Sequence, residues 1–228
     1  MSKLEILGTG NGFETQLGTS AFLQWNADES RATLYDCGWS IFAELRRLEM
    51  EEGRSIIPKI DTVFISHLHE DHAGSAGLLA LYKSCIHKSG ITFIGIDSRQ
   101  YLSLVIDDVP EWTYVYEESG DYEIVKNDHG HSMPCCSILK DGIYYSGDTR
   151  YSMLDTDVAR RAKIIIHETR SKFSTSHPSI DDLAVAPKEI RAKTYLTHYC
   201  LWELEVLEQK AKELGFAGVL KRGMVVEF

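Results

Sequence analysis

No stretch of this 228-residue chain approaches the run of about 20 apolar residues that a membrane-spanning helix requires, so no membrane partner is expected. Met1-Ser2-Lys3 leads straight into a strand-like segment with no signal-peptide core, which points to a cytoplasmic protein. Positive charge is scarce. Lys and Arg number 24 against 34 Asp and Glu, a net charge of −10 at pH 7. A protein that grips a long phosphate backbone carries a basic surplus or a basic stripe, so a large nucleic acid is not the expected partner. Cysteines are few, odd in number and lack any Cys-x-x-Cys: Cys37, Cys85, Cys135, Cys136 and Cys200. They read as reduced thiols rather than a disulfide framework, with Cys200 as a packed thiol two positions past His198. No repeat, linker or low-complexity tract interrupts the chain. Its 43% hydrophobic and 25% charged content is that of an ordinary globular protein, and 1–228 fits one domain.

What the chain does have is histidine, gathered in one place. Ser66-His67-Leu68-His69-Glu70-Asp71-His72-Ala73-Gly74 follows the apolar run Thr62-Val63-Phe64-Ile65, a buried strand by its composition. Imidazole nitrogens with a carboxylate oxygen suit a borderline-soft divalent metal. On extended backbone His67 and His69 project to the same side. Asp71 and His72 come after the chain turns and can face a second ion. Four donors are too many for one open catalytic metal if others arrive from elsewhere, so the stretch predicts two metals and distant ligands.

Periodicity supplies the frame. Strands are expected at 4–7, 20–25 and 32–35, the last two a hairpin around Asn26-Ala27-Asp28-Glu29-Ser30, with Asp36-Cys37-Gly38 after the second. The glycine loop Gly8-Thr9-Gly10-Asn11-Gly12 lacks the spacing of a dinucleotide-binding turn. Ile41, Leu45 and Leu48 recur at helical spacing, predicting a helix over 40–52. A helix over 73–88, a strand over 91–96, a helix or covering segment over 97–106, and strands at 112–116 and 122–125 follow. Segments 132–139 and 143–146 flank Lys140-Asp141-Gly142 and form a hairpin, because Asp-Gly is a strong turn signal. A helix over 151–161, a strand over 164–166, a helical segment over 179–190, a strand over 194–197, a helix over 201–214 and a strand over 223–227 complete the chain. Strands in both halves with helices between favour two sheets covered by helices.

Three further donors stand at strand ends: His131, Asp148 in Ser146-Gly147-Asp148-Thr149, and His198 in Leu196-Thr197-His198-Tyr199. With His67, His69, Asp71 and His72 they make seven donors, enough for two ions with Asp148 between them. His129 lies two positions before His131, and the Ser-x-Pro context of Ser132-Met133-Pro134 assigns the role to His131. His87 reads as a solvent-facing residue and His167 as a structural one.

An H-x-H-x-D-H motif followed by lone His, Asp and His resembles the metallo-β-lactamase superfamily. Leu7-Gly8-Thr9-Gly10, Asp36-Cys37-Gly38, His131-Ser132-Met133-Pro134 and Ser146-Gly147-Asp148-Thr149 resemble its ribonuclease Z-like branch. So does His167-Glu168-Thr169 followed by Ser176-His177-Pro178-Ser179. The resemblance implies an α/β fold, the αββα sandwich of two mixed sheets flanked by helices. It implies two Zn2+ ions, with Mn2+ or Fe also suited to these donors: one held by His67, His69 and His131, the other by Asp71, His72 and His198, with Asp148 shared. Asp71, Glu168 and His177 are the implied catalytic residues, the last two protonating a leaving oxygen. A salt bridge that merely braces the ligands is the alternative for that pair. Homodimers in which one subunit finishes the other's pocket are common in such proteins.

Ribonuclease Z enzymes that process tRNA 3′ ends carry a long RNA-gripping arm between the third histidine and the bridging aspartate. Here 17 residues span that interval, all consumed by the hairpin. A small phosphodiester fits better. The chain is most like the small cyclic-nucleotide phosphodiesterases of the branch, the phage anti-Pycsar type, which places it in the host cytoplasm if phage-encoded. The expected reaction is hydrolysis of a 3′,5′-cyclic nucleotide to a mononucleotide by a metal-bridging hydroxide. The alternatives are a ribonuclease Z-type endoribonuclease or a cyclic ribose phosphodiesterase. Tyr199 and Trp202 are candidates to stack a base; Arg150, Arg170 and Lys172 are candidates to neutralise phosphate.

Overall fold

Alternation along each strand sorts side chains onto two faces, and where both faces are apolar a strand has to lie between two layers. The computed structural model describes residues 3–96, 99–106, 112–115, 119–130 and 133–228. In chain order its first half holds β1 (Lys3–Gly8), β2 (Ala21–Trp25), β3 (Ala32–Tyr35), α1 (Ile41–Glu52), β4 (Ile60–Ile65), α2 (Glu70–Ala73), α3 (Ala76–Tyr82), β5 (Ile91–Gly95), α4 (Arg99–Val105) and β6 (Trp112–Val115). The second half holds β7 (Tyr122–Asn127), β8 (Cys135–Lys140), β9 (Ile143–Tyr145), α5 (Asp157–Arg161), β10 (Ile164–Glu168), α6 (Ile180–Leu183), α7 (Lys188–Arg191), β11 (Thr194–Thr197), α8 (Leu204–Leu214), β12 (Gly218–Val219) and β13 (Val225–Glu227).

Two mixed sheets result, ordered β13-β1-β2-β3-β4-β5-β6 and β12-β11-β10-β9-β8-β7 among the described residues. β3 through β6 run parallel, as do β9 through β12, while the hairpins are antiparallel. Leu4, Ile6, Phe22, Phe64, Ile138, Tyr145 and Ile166 meet between the sheets. The alternate residues Leu23, Leu34, Val63 and Ile65 face outward, against Ile41, Leu45 and Leu48 of α1 and Leu79 of α3. Tyr144, Ile165 and Leu196 do the same for the second sheet, against Val158, Ile180, Ile190 and Leu207. These clusters make the αββα sandwich. Each fully buried aliphatic side chain contributes about 1.5–3 kcal/mol by leaving water, which holds the four layers together.

Some boundaries move for local reasons. The helix expected over 73–88 begins earlier, at Glu70, and breaks at Gly74-Ser75. There the Ser75 hydroxyl donates to the Gly38 carbonyl at 2.6 Å and takes the chain out of register. Its last turn, Lys83–His87, widens to a π-helix and buries Lys83, whose Nζ donates to the Ile60 carbonyl. The segment 179–190 splits into α6 and α7 because Pro187 cannot continue a helix. Helix forms over Asp157–Arg161 rather than all of 151–161, capped where Thr156 Oγ1 accepts from Ala159 N at 3.1 Å. The hairpin turn is as expected: Asp141 and Gly142 have φ of 50° and 84°, the left-handed pair of a two-residue turn. Strand β12, two residues long, carries too little pattern to be read from sequence.

Candidate metal centre

Carboxyl ends of neighbouring strands converge on one rim of the sandwich, the edge where open α/β sheets place ligands. Asp36 directly follows β3, β4 delivers Ser66 to His72, β9 leads to Asp148, β10 ends in Glu168 and β11 runs into His198. Two glycines let these segments touch. A Cβ on Gly38 would sit 2.0 Å from the Asp71 carbonyl oxygen, and one on Gly147 would sit 2.7 Å from Ser66 Cβ. The backbone of Asp36 (φ 57°) and of His198 (φ 65°) is left-handed, a costly conformation for non-glycine residues that concentrates at functional sites.

His67, His69 and His129 bring one ligand nitrogen each within 4.8 Å of one another, and Asp71, His72 and His198 form a second such group. His67 Nε2 and His69 Nδ1 are 2.8 Å apart. Asp148 lies between the groups: Oδ1 is 3.3 Å from His72 Nε2, and Oδ2 is 3.5 Å from both His129 Nε2 and His198 Nε2. Asp71 Oδ2 is 3.2 Å from His198 Nε2 and 3.4 Å from His72 Nε2. Six of the seven expected donors are therefore together. The seventh, His131, lies outside the described residues, and the imidazole placed beside His67 and His69 is His129. Left-handed Gly130 (φ 77°) and the Arg150 N to Asp128 O bond of 2.7 Å set the loop path that brings it there.

The donor set fits divalent cations. His72 Nε2 and Asp148 Oδ1 are buried 3.3 Å apart without a well-formed hydrogen bond, a state that costs about 1–3 kcal/mol per atom unless something satisfies it. Burial, then the neighbouring His72, holds His67 well below the usual imidazole range, leaving its ring neutral and able to ligate. Burial pushes Asp148 up, but His198 and His72 outweigh it and keep the carboxylate ionised.

Asp36, absent from the residues expected at the site, organises it from behind. Its carboxylate is fully buried and accepts from Ser66 N at 2.7 Å, Ser66 Oγ at 2.9 Å and Tyr145 OH at 2.7 Å. The remaining partner is His72 Nδ1 at 2.7 Å, which fixes the tautomer and leaves Nε2 facing Asp71 and Asp148. A charged residue directly after an apolar strand was the available signal.

Glu168 Oε2 is 2.5 Å from His177 Nδ1 and 3.4 Å from His198 Nδ1, and Oε1 accepts from Thr149 N. His177 Nδ1 is 3.9 Å from Asp148. The pair expected to act together is thus at the centre, Glu168 1% exposed and His177 partly open. A cavity of about 750 Å³ opens above, lined by His69, Asp71, His129, Asp148 and His198 together with Arg170, Lys172 and Trp202. Arg170 is held by Glu203 at 3.2 Å, whereas Arg150 packs instead on the Gly130 carbonyl at 3.1 Å. Tyr199 is core, fully buried with its hydroxyl on the Leu220 carbonyl at 2.6 Å. His167 is structural, donating to Glu168 O at 2.7 Å while Met153 N donates to its Nε2 at 3.1 Å. His87 packs edge-on to Tyr82, 5.5 Å between ring centres, rather than facing solvent freely. The five cysteines are free thiols; Cys200 lines the cavity and accepts from Asn11 Nδ2 at 3.1 Å rather than being packed away.

Known structures share this architecture. The metallo-β-lactamase fold protein YhfI from Bacillus subtilis matches with a TM-score of 0.77 at 22% identity, covering 100% of this chain and 99% of its own. A diphosphatase from the PhnP family matches with a TM-score of 0.74 at 17% identity, covering 100% and 98%. Human tRNase Z, short form (ELAC1), matches with 0.71 at 17%, covering 99% and 98%. Sheet order, rim and donors together define a protein of the metallo-β-lactamase fold with a candidate metal centre. The family model of the anti-Pycsar protein Apyc1 matches residues 2–98 and 101–226, and the chain belongs to that family. Anti-Pycsar protein Apyc1 of Paenibacillus sp. (strain J14) is 24% identical over 224 residues, covering 86% of this chain and 89% of its own. That of Saccharibacillus brassicae is 25% identical over 253 residues, covering 97% and 98%.

Proposed function

We propose that this protein is a dinuclear-metal phosphodiesterase that hydrolyses small 3′,5′-cyclic nucleotides to mononucleotides. The observation that carries the reading is the pair of buried Glu168 and partly open His177, 2.5 Å apart, beside the Asp148 carboxylate at the floor of a nucleotide-sized cavity. Membership of the anti-Pycsar family supports a cyclic nucleotide as substrate. His67, His69 and His129 would hold one cation, Asp71, His72 and His198 the other, with Asp148 common to both; zinc suits imidazole and carboxylate donors best. Bound there, two cations supply positive charge for the phosphoryl oxygens and acidity for a water nucleophile.

The chain's own residues do the rest. Asp36 holds His72 in one tautomer. Glu168 accepts from His177 Nδ1 and so turns Nε2 toward the cavity, where it gives a proton to the ribose oxygen as its bond to phosphorus breaks. Arg170, fixed by Glu203, sets a cation on the cavity wall. The interval leading to Asp148 is spent on β8, a two-residue turn and β9, which favours a small substrate over tRNA. A homodimer in the cytoplasm belongs to the same proposal. The test is chromatography of a cyclic-nucleotide panel and a precursor tRNA, before and after chelation. Metal-dependent opening of cyclic nucleotides with inert tRNA supports the reading; efficient trimming of tRNA with inert cyclic nucleotides overturns it.

A further inference from the structure

Three large aromatic rings stand in solvent around the mouth of the catalytic cavity: Phe13 at 97% exposure, Phe173 at 82% and Trp202 at 67%. Each comes from a different segment, Phe13 from the loop after β1, Phe173 from the loop after β10, and Trp202 from the turn after β11. Their roots are tied down. Asn11 Oδ1 accepts from Phe13 N at 3.1 Å, and Asn11 Nδ2 reaches Cys200 Sγ at 3.1 Å. Glu203, 1% exposed, accepts from Ser171 N at 2.8 Å and from Cys200 N at 2.9 Å, so one buried carboxylate pins the roots of both the Phe173 and the Trp202 segments. Glu14 Oε2 accepts from Leu201 N at 2.9 Å and links the Phe13 loop to the same turn.

Rings held in place at their backbones yet left without packing are a preformed apolar surface, and this one continues the cavity that contains the metal donors. A phosphodiester seated on those donors leaves its other end at the mouth. Every nucleobase offers a π-face of the kind these rings complement.

We propose that Phe13, Phe173 and Trp202 form the seat of the substrate's nucleobase, so that the base binds by stacking at the mouth while the phosphate binds at the floor. The inference rests on the cyclic-nucleotide reading and adds the base-binding residues to it. Base stacking of this kind corresponds to about a 5- to 150-fold effect per ring on affinity.

The test separates base from phosphate. Metal-loaded wild-type protein and the variants Phe13→Ala, Phe173→Ala, Trp202→Ala and Trp202→Phe are titrated calorimetrically with cytidine 5′-monophosphate and with ribose 5-phosphate. The ratio of the two dissociation constants reads the base alone. It is expected to collapse by about 5- to 150-fold in the alanine variants and to be largely kept in Trp202→Phe, with KM rising more than kcat falls on cyclic CMP. Ratios equal to wild type in all three alanine variants overturn the proposal. If those same variants also lose self-association in sedimentation, the rings belong to a contact with a second copy, and the proposal is equally overturned. A wild-type protein that shows the base-dependent ratio yet leaves cyclic nucleotides intact refutes the proposed reaction and not the base seat.

Discussion

Replacing His177 by alanine is expected to slow cyclic-nucleotide hydrolysis by about 10²- to 10⁴-fold, the range a positioned proton donor contributes. The departing group decides how much of that loss appears. A ribose alkoxide leaves poorly without a proton, whereas p-nitrophenolate leaves readily on its own, so the loss on bis-p-nitrophenyl phosphate should be far smaller. Glu168→Gln keeps the shape but exchanges a charged acceptor for a neutral one at a 2.5 Å contact. Glu168 is 1% exposed, so water does not replace the lost interaction. A charge-assisted hydrogen bond exceeds a neutral one by about 1–1.5 kcal/mol, which gives about a tenfold loss on the cyclic nucleotide. The assay is initial rates on both substrates for wild type and the two variants, with bound metal measured on the same samples. Because Glu168 also lies 3.4 Å from His198 Nδ1, the metal measurement is essential. Equal losses on both substrates, or losses that track missing metal, would show that the pair braces the ligands and delivers no proton.

Two further predictions test the architecture behind the site. Asp36→Asn should weaken zinc binding by about 10- to 100-fold in competition with a chromophoric chelator, because the tautomer of His72 is no longer fixed; unchanged affinity would remove Asp36 from this role. Glu5 is bound by Arg54 at 2.5 Å and by Trp25 Nε1 at 3.0 Å. Burial pushes its carboxyl up, but Arg54 and Trp25 outweigh that and hold it below its ordinary value of 4.5. The unfolded chain therefore takes up this proton first as pH falls, and stability present at neutral pH is lost through the carboxylate range. Urea unfolding from neutral pH down to about pH 3 should show a steeper loss for wild type than for Glu5→Gln; parallel curves would refute the assignment.

Much of the molecule is legible along the chain. Short apolar runs announce the strands, Ile41, Leu45 and Leu48 announce α1, and Asp141-Gly142 announces its hairpin, because each depends on residues close in sequence. The cluster from His67 to His72 declares metal chemistry for the same reason, since four donors in six positions need no tertiary contact to be recognised. Helix breaks were harder: Ser75 leaves its helix for the Gly38 carbonyl, a partner 37 residues away.

Tertiary structure decided everything that depends on strand ends from separate parts of the chain meeting. That His129 comes within reach of His67 and His69 turns on the path of the loop before Gly130, which no local rule supplies. Tyr199 and Trp202, both aromatic and three apart, part company because the first donates its backbone N–H to Thr9 O past the end of β11 and turns into the core, while the following turn holds the second at the cavity. Asp36 acquires its role only when Tyr145 from the opposite sheet, Ser66 from just past the end of β4 and His72 from α2 close around it. Local sequence constrains the backbone of each segment; which side chains share a rim follows from the packing of two sheets, a property of the whole chain.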